Sequence, residues 1–114
     1  MHELSLAGGI LNIVEQAACR DAFARISVLR LECGALAGVE VRALRFALEA
    51  LAPGTILAGA RIDIDTPIAQ AWCMQCAATA PIGARGDPCG QCGSYQLQAL
   101  GGGELRIVEM LVED

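Results

Sequence analysis

Four cysteines constrain this chain more than any other feature. They stand at Cys73, Cys76, Cys89 and Cys92 in the stretch CMQCAATAPIGARGDPCGQC, with two residues inside each pair and twelve between the pairs. A C-x2-C turn aims two thiolates at one point. Two such turns set four sulfurs at tetrahedral corners around a single ion, with metal–sulfur bonds of about 2.3 Å. Pro88 presets the entry to the second turn, and Gly90 and Gly93 permit its tight backbone. Four protein ligands leave no open coordination position, so the spacing predicts a structural metal site and not a catalytic one.

Zinc is the expected ion. Iron is the competitor, because CGQCGSY resembles a rubredoxin knuckle, but Trp72 and Tyr95 are the only aromatics nearby. Zinc knuckles also serve nucleic-acid binding, yet this one contributes a single basic residue, Arg85, and a single tyrosine. That is no basic patch with stacking aromatics, so no nucleic acid is expected. Cys19 and Cys33 lie apart from the set and read as semi-buried thiols.

Around the cysteines the pattern is that of a small α+β protein. HELSLAGGILNIVEQAAC carries Leu4, Ala7, Ile10, Leu11, Val14, Ala17 and Ala18 at helical spacing, although Gly8 and Gly9 weaken it. ARISVLRLEC is a strand whose alternation slips between Val28 and Leu29, and Gly34 and Gly38 punctuate the turn after it. VEVRALRFALEALA is a second helix, striped by Val41, Leu44, Leu48 and Leu51 and stopped by Pro53-Gly54. ARIDIDTPI alternates as a half-buried strand, with Asp63 and Asp65 on its solvated side and no sign of an acid–base pair. GELRIVEMLVED is apolar on both faces from Ile107 to Val112 apart from Glu109, the pattern of a strand inside a sheet. The expected organisation is a two-helix, three-strand α/β domain over 1–66 plus 105–114, with a zinc-ribbon module inserted at 67–104.

The net charge is −5 and every basic residue is arginine, a balance that argues against a polyanionic partner. No apolar run reaches the length of about 18 residues that a membrane span needs, and no basic segment precedes the first apolar stretch as in a signal peptide. The chain reads as soluble and cytoplasmic, with no membrane partner.

The only histidine, His2, adjoins the amino terminus in MHELSL. The Met1 amine, the His2 amide nitrogen and the His2 imidazole all lie within reach of one ion. Such a nitrogen-rich, tetragonal set suits Ni(II) or Cu(II) better than zinc. Spacing alone still favours the simpler account, a surface histidine on a frayed terminus. The combination changes the balance. Met1-His2-Glu3, the Cys73/Cys76/Cys89/Cys92 set, FALEAL in the second helix and the closing GELRIVEM together resemble the HypA/HybF family of hydrogenase-maturation nickel metallochaperones, over essentially the whole chain.

The resemblance implies a nickel domain joined to a zinc ribbon. Carried over by residue, the nickel ligands would be Met1 by its amine, His2 by imidazole and amide, and Glu3. Glu40, at the start of the second helix, is the secondary member of that set. It implies no catalysis, a zinc held by the four cysteines, and nickel as cargo. The nickel would pass with a HypB-like GTPase toward the large subunit of [NiFe] hydrogenase, or toward urease, from a monomer or weak homodimer. One departure stands out. Some members place histidines beside the zinc cysteines, but here Ala77 and Gly93 follow the knuckles and no second histidine exists. Exchange of a cysteine for a neighbouring histidine is therefore excluded, and any sensing of pH by this chain would fall to His2. The alternative to a carrier is a zinc-ribbon adaptor that binds protein or nucleic acid without nickel.

Overall fold

The computed structural model describes residues 2–114. The chain forms α1 (His2–Asp21), β1 (Arg25–Cys33), α2 (Val41–Leu51), β2 (Arg61–Asp65), β3 (Ala69–Cys73), β4 (Ala78–Ile82), β5 (Leu97–Ala99) and β6 (Leu105–Glu113). It divides into two compact units. One comprises residues 1–31, 39–64 and 107–114, and the other 32–38 and 65–106. This division differs from the boundaries expected from sequence chiefly in placing 32–38 with the cysteines.

In the first unit α1 and α2 pack on each other. Ala7, Ile10, Val14 and Ala17 form the buried stripe of α1, and Leu44, Ala47 and Leu48 that of α2. Leu4, expected on the stripe, is 48% exposed. Helix α2 begins at Glu40, whose backbone is extended and whose carboxylate accepts from the Arg42 amide at 3.2 Å. That bond satisfies one of the orphan donors at the helix start. Past α2, Gly54 takes φ +79°, and the Glu15 carboxylate receives the Ile56 amide at 3.3 Å.

The sheet of β2, β1 and β6 has that order, so β1 is central. Its buried residues are Ile26, Leu29, Leu31 and Cys33, which puts the change of phase where the sequence alternation slips. Strand β6 runs antiparallel to β1: the Ala24 amide donates to the Glu113 carbonyl at 2.9 Å, and the Gly34 amide to Glu104 at 2.9 Å. Here an expectation fails. Strand β6 has the pattern of an interior strand but stands at the edge, and Val108, Leu111 and Val112 remain exposed.

The second unit holds three strands that the sequence reading left undivided within the 67–104 insert. Strand β3 is central, paired antiparallel with β4 (Cys73 opposite Ala78) and β5 (Cys73 opposite Leu97). Its inward residues are Ala69, Ala71 and Cys73, small side chains that make a weak strand signal. Leu36 and Ile82 pack over Ala69 and Ala71. The 32–38 turn is tied to the glycine run: the Leu36 amide donates to the Gly102 carbonyl at 2.8 Å. The approach is so close that a Cβ on Gly34 would lie 2.2 Å from that carbonyl oxygen. A Cβ on Gly102 would lie 2.5 Å from Ala69 Cβ, at a φ of +82°.

These contacts separate two kinds of glycine. Gly34→Ala must displace backbone and is expected to lower stability by about 2–3 kcal/mol. Gly8→Ala, on an open face of α1 with nothing within 4 Å, should raise it by about 0.5–1 kcal/mol. Urea midpoints of the two variants against the parent check both signs.

Candidate metal centre

The two cysteine knuckles are copies of one backbone turn. In the first, the Ala77 amide donates to the Cys73 carbonyl at 2.9 Å. In the second, the Gly93 amide donates to the Cys89 carbonyl at 2.8 Å. Each turn closes through a residue in the left-handed region, Ala77 at φ +53° and Gly93 at φ +74°. Gly90, which the sequence also suggested as a turn glycine, has no such backbone angle. Strand β3 delivers Cys73 into the first knuckle, and the Cys89 amide is held by the Ser94 carbonyl at 2.8 Å.

The four sulfurs converge within 4.8 Å of one another. Cys73 and Cys92 sulfurs are 3.6 Å apart, and those of Cys76 and Cys89 are 4.0 Å apart. A tetrahedron with metal–sulfur bonds of about 2.3 Å has sulfur–sulfur edges of about 3.8 Å, so the donor set fits one ion. Cys73 and Cys89 are buried, Cys76 is half-buried and Cys92 is exposed.

The thiols are not equivalent. Amide N–H groups of Cys92 and Gln91 point at Cys89 and bring its thiol down to about 7. Hydrogen bonding with the Cys92 and then the Cys73 sulfur drives Cys76 up to about 12. Four thiolates at these distances repel, so the protein alone keeps some protonated, and a divalent cation replaces those protons. Cys33 is buried at the end of β1, and burial raises its thiol, whereas Cys19 is exposed. Neither joins the cluster, which is the only group of three or more metal-ligating side chains that converges among the described residues.

The amino-terminal set is built differently. Met1 lies outside the described residues. His2 and Glu3 open α1, and the His2 Nδ1 atom lies 3.7 Å from the Glu3 carboxylate. The same carboxylate oxygen receives the Glu40 amide at 3.1 Å. That amide, with the backbone of Glu3 itself, holds the Glu3 carboxyl below the usual carboxylate range. Glu40 thus reaches the site by its backbone, because its carboxylate is engaged in capping α2. His2 stays open to solvent at 62% exposure, against 18% for Glu3. Asp63 is not part of any such site; it accepts a two-pronged bond from Arg61 at 3.1 and 3.2 Å.

The family described as hydrogenase/urease nickel incorporation, metallochaperone, HypA matches residues 1–112. The chain belongs to the HypA family. It is 65% identical to the hydrogenase maturation factor HypA of Polaromonas naphthalenivorans (strain CJ2) over all of this chain and 99% of that one. Identity to the HypA of Cupriavidus necator (strain H16) is 62%, over all of this chain and 96% of that one. In fold it matches the solution structure of the Ni metallochaperone HypA from Helicobacter pylori, with a TM-score of 0.66 and 18% identity over 97% of each chain. As a HypA protein it is a nickel-incorporation metallochaperone of hydrogenase maturation.

Two outcomes test the cysteine centre. Ala77→Gly relieves a left-handed alanine and should stabilise the metal-loaded protein by about 1 kcal/mol, while Gly93→Val should weaken metal retention. Removing the metal with a chelator, or Cys92→Ser, should broaden or shift the NMR amide signals of β3, β4 and β5. The denaturation midpoint of each variant and a colorimetric chelator titration supply the readouts.

Proposed function

We propose that this HypA protein carries Ni(II) at its amino terminus and holds a structural zinc on Cys73, Cys76, Cys89 and Cys92. The nickel ligands in this reading are the Met1 amine, the His2 amide and imidazole, and the Glu3 carboxylate. Glu40 serves by fixing Glu3. One observation carries the nickel half: the Glu3 carboxylate is kept anionic by the Glu40 amide while His2 Nδ1 stands 3.7 Å away. A nitrogen-rich set with one carboxylate suits Ni(II) in a tetragonal field, and four thiolates suit zinc.

A carrier must release what it binds. An exposed imidazole on the first turn of a helix can be reached by a competing ligand. The four sulfurs occupy every tetrahedral position, so the zinc offers no place for a substrate, and the protein acts without catalysis of its own. We assign it to the cytoplasm, as a monomer or weak homodimer. It passes nickel with a HypB-like GTPase to the large subunit of [NiFe] hydrogenase, with urease as a second recipient. No helix among the described residues is long and apolar enough to cross a membrane.

The test is nickel titration of untagged, metal-analysed protein followed by absorption spectroscopy. Wild type should take up one nickel per chain. His2→Ala, and a chain bearing one extra residue ahead of Met1, should each lose that uptake while retaining one zinc. Unchanged nickel binding in both variants would move the site elsewhere, and absence of nickel binding in wild type would favour the zinc-ribbon adaptor.

A further inference from the structure

The three-stranded sheet of the second unit buries one face and leaves the other open. Ala69, Ala71 and Cys73 point inward along β3, so Gln70 and Trp72 stand on the opposite side. Their direct partners across the sheet are Pro81 and Thr79 on β4 and Gln98 on β5, and none of these positions carries a charge. Trp72 is 40% exposed, and Ile68 and Met74 flank β3 at 68% and 65%. Leu100, whose amide donates to the Gln70 carbonyl at 2.9 Å, is 55% exposed. A tryptophan, a methionine and two aliphatic side chains left in water have the composition of an interface core.

One end of this face drops into a cavity of about 250 Å³. Pro67, Ile68 and Leu100 form apolar walls, and Gly34, Gly101 and Gly102 leave bare backbone between them. Glu32 and Glu104 supply two carboxylates, and among the described residues no basic side chain lines the cavity. Arg106 reaches one oxygen of Glu32 at 3.2 Å from outside. One guanidinium thus stands against two carboxylates, and a negative charge is left over. All of these residues belong to the second unit. An aliphatic wall beside a carboxylate suits a long basic side chain, with its methylenes on Ile68 and Leu100 and its charged head at Glu104.

We propose that the open face of β3–β5 and this cavity form one docking surface for a protein segment that bears apolar side chains next to an arginine. Charge selects the occupant. Nucleic acid or anionic lipid headgroups would bring like charge to Glu32 and Glu104, in a chain whose net charge is −5. An apolar segment without a cation would cover Glu104 and give it no partner. Arginine suits the cavity better than lysine, because its planar fork bonds carboxylate oxygens two at a time. In an extended segment alternate side chains fall on one side, about 6.8 Å apart, so apolar residues two and four positions from the arginine reach toward Trp72. No proposed nickel or zinc ligand lies on this surface, so docking and metal binding are separable.

Trp72 is the only tryptophan, and its fluorescence reads the surface directly. Full-length, metal-loaded protein is titrated to millimolar concentration with the capped pentapeptide Leu-Ala-Leu-Ala-Arg, and with the same peptide ending in glutamate. The arginine peptide should shift the emission to the blue in a saturable way, bind about tenfold more tightly than the glutamate peptide, and weaken as salt rises. NMR amide signals should move at Ile68, Leu100 and Gly101 and stay fixed in α1 and α2. Glu104→Arg, at an exposed position, should reverse the preference between the two peptides. Ile68→Ser should weaken binding of the arginine peptide, while Phe46→Ser, which alters an exposed apolar side chain on α2, should leave it unchanged. Absence of binding, equal affinity for the two peptides, or an unchanged preference in Glu104→Arg would overturn the proposal. So would a tryptophan shift evoked by phosphatidylserine vesicles, or by concentrating the protein alone, in place of one evoked by the arginine peptide.

Discussion

Four sulfurs within 4.8 Å of one another cannot all be charged without a cation between them, and the second unit is organised around that fact. Its apolar interior is slight. Leu36 and Ile82 are the only large buried side chains over β3, and beside the sulfurs Ala80 packs against Cys73 and Cys89. Burial of alanine-sized groups supplies little of the free energy that orders a segment of this length. A metal cross-link on the four converging sulfurs would supply what the core lacks, as small domains commonly require. The two knuckles use the same carbonyl-to-amide closure and the same left-handed residue. One has a glycine there and the other an alanine, so the second turn is relaxed and the first is held against a modest backbone cost.

The amino-terminal site follows the opposite logic. Its carboxylate is oriented by a backbone amide from another helix, but its imidazole is left in water. One polar group there is fixed and the other open to solvent, whereas the four converging sulfurs are aimed in advance by their two turns. Glu40 joins the two helices through this arrangement. Its carboxylate starts α2, its amide holds Glu3, and both bonds depend on the extended backbone of a helix cap.

The helices were legible because their apolar residues recur at helical spacing, and β1 because its branched residues alternate, down to the slip between Val28 and Leu29. Strands β3 to β5 were not. In AQAWC and ATAPI the inward positions are filled by alanine, cysteine and a single isoleucine, which carry little strand preference. What makes them strands is the pairing that brings Cys73 opposite Ala78 and Leu97, and that pairing is non-local. The Gly101-Gly102-Gly103 run was visible, but its purpose was not. It lets the 32–38 turn approach to a distance at which no side chain fits, and nothing in residues 32–38 announces that partner.

By itself the sequence determined the cysteine cluster, since two C-x2-C pairs need only local backbone to aim their sulfurs. It also determined the two helices, since their periodicity is a local property. Tertiary structure alone decided that β6 is an edge strand despite its interior-strand composition, because a residue pattern reports which faces are apolar and not how many neighbours a strand has. It alone decided that Glu40 meets Glu3 by an amide and not by its carboxylate, because that contact joins residues 37 positions apart and depends on how one helix is capped.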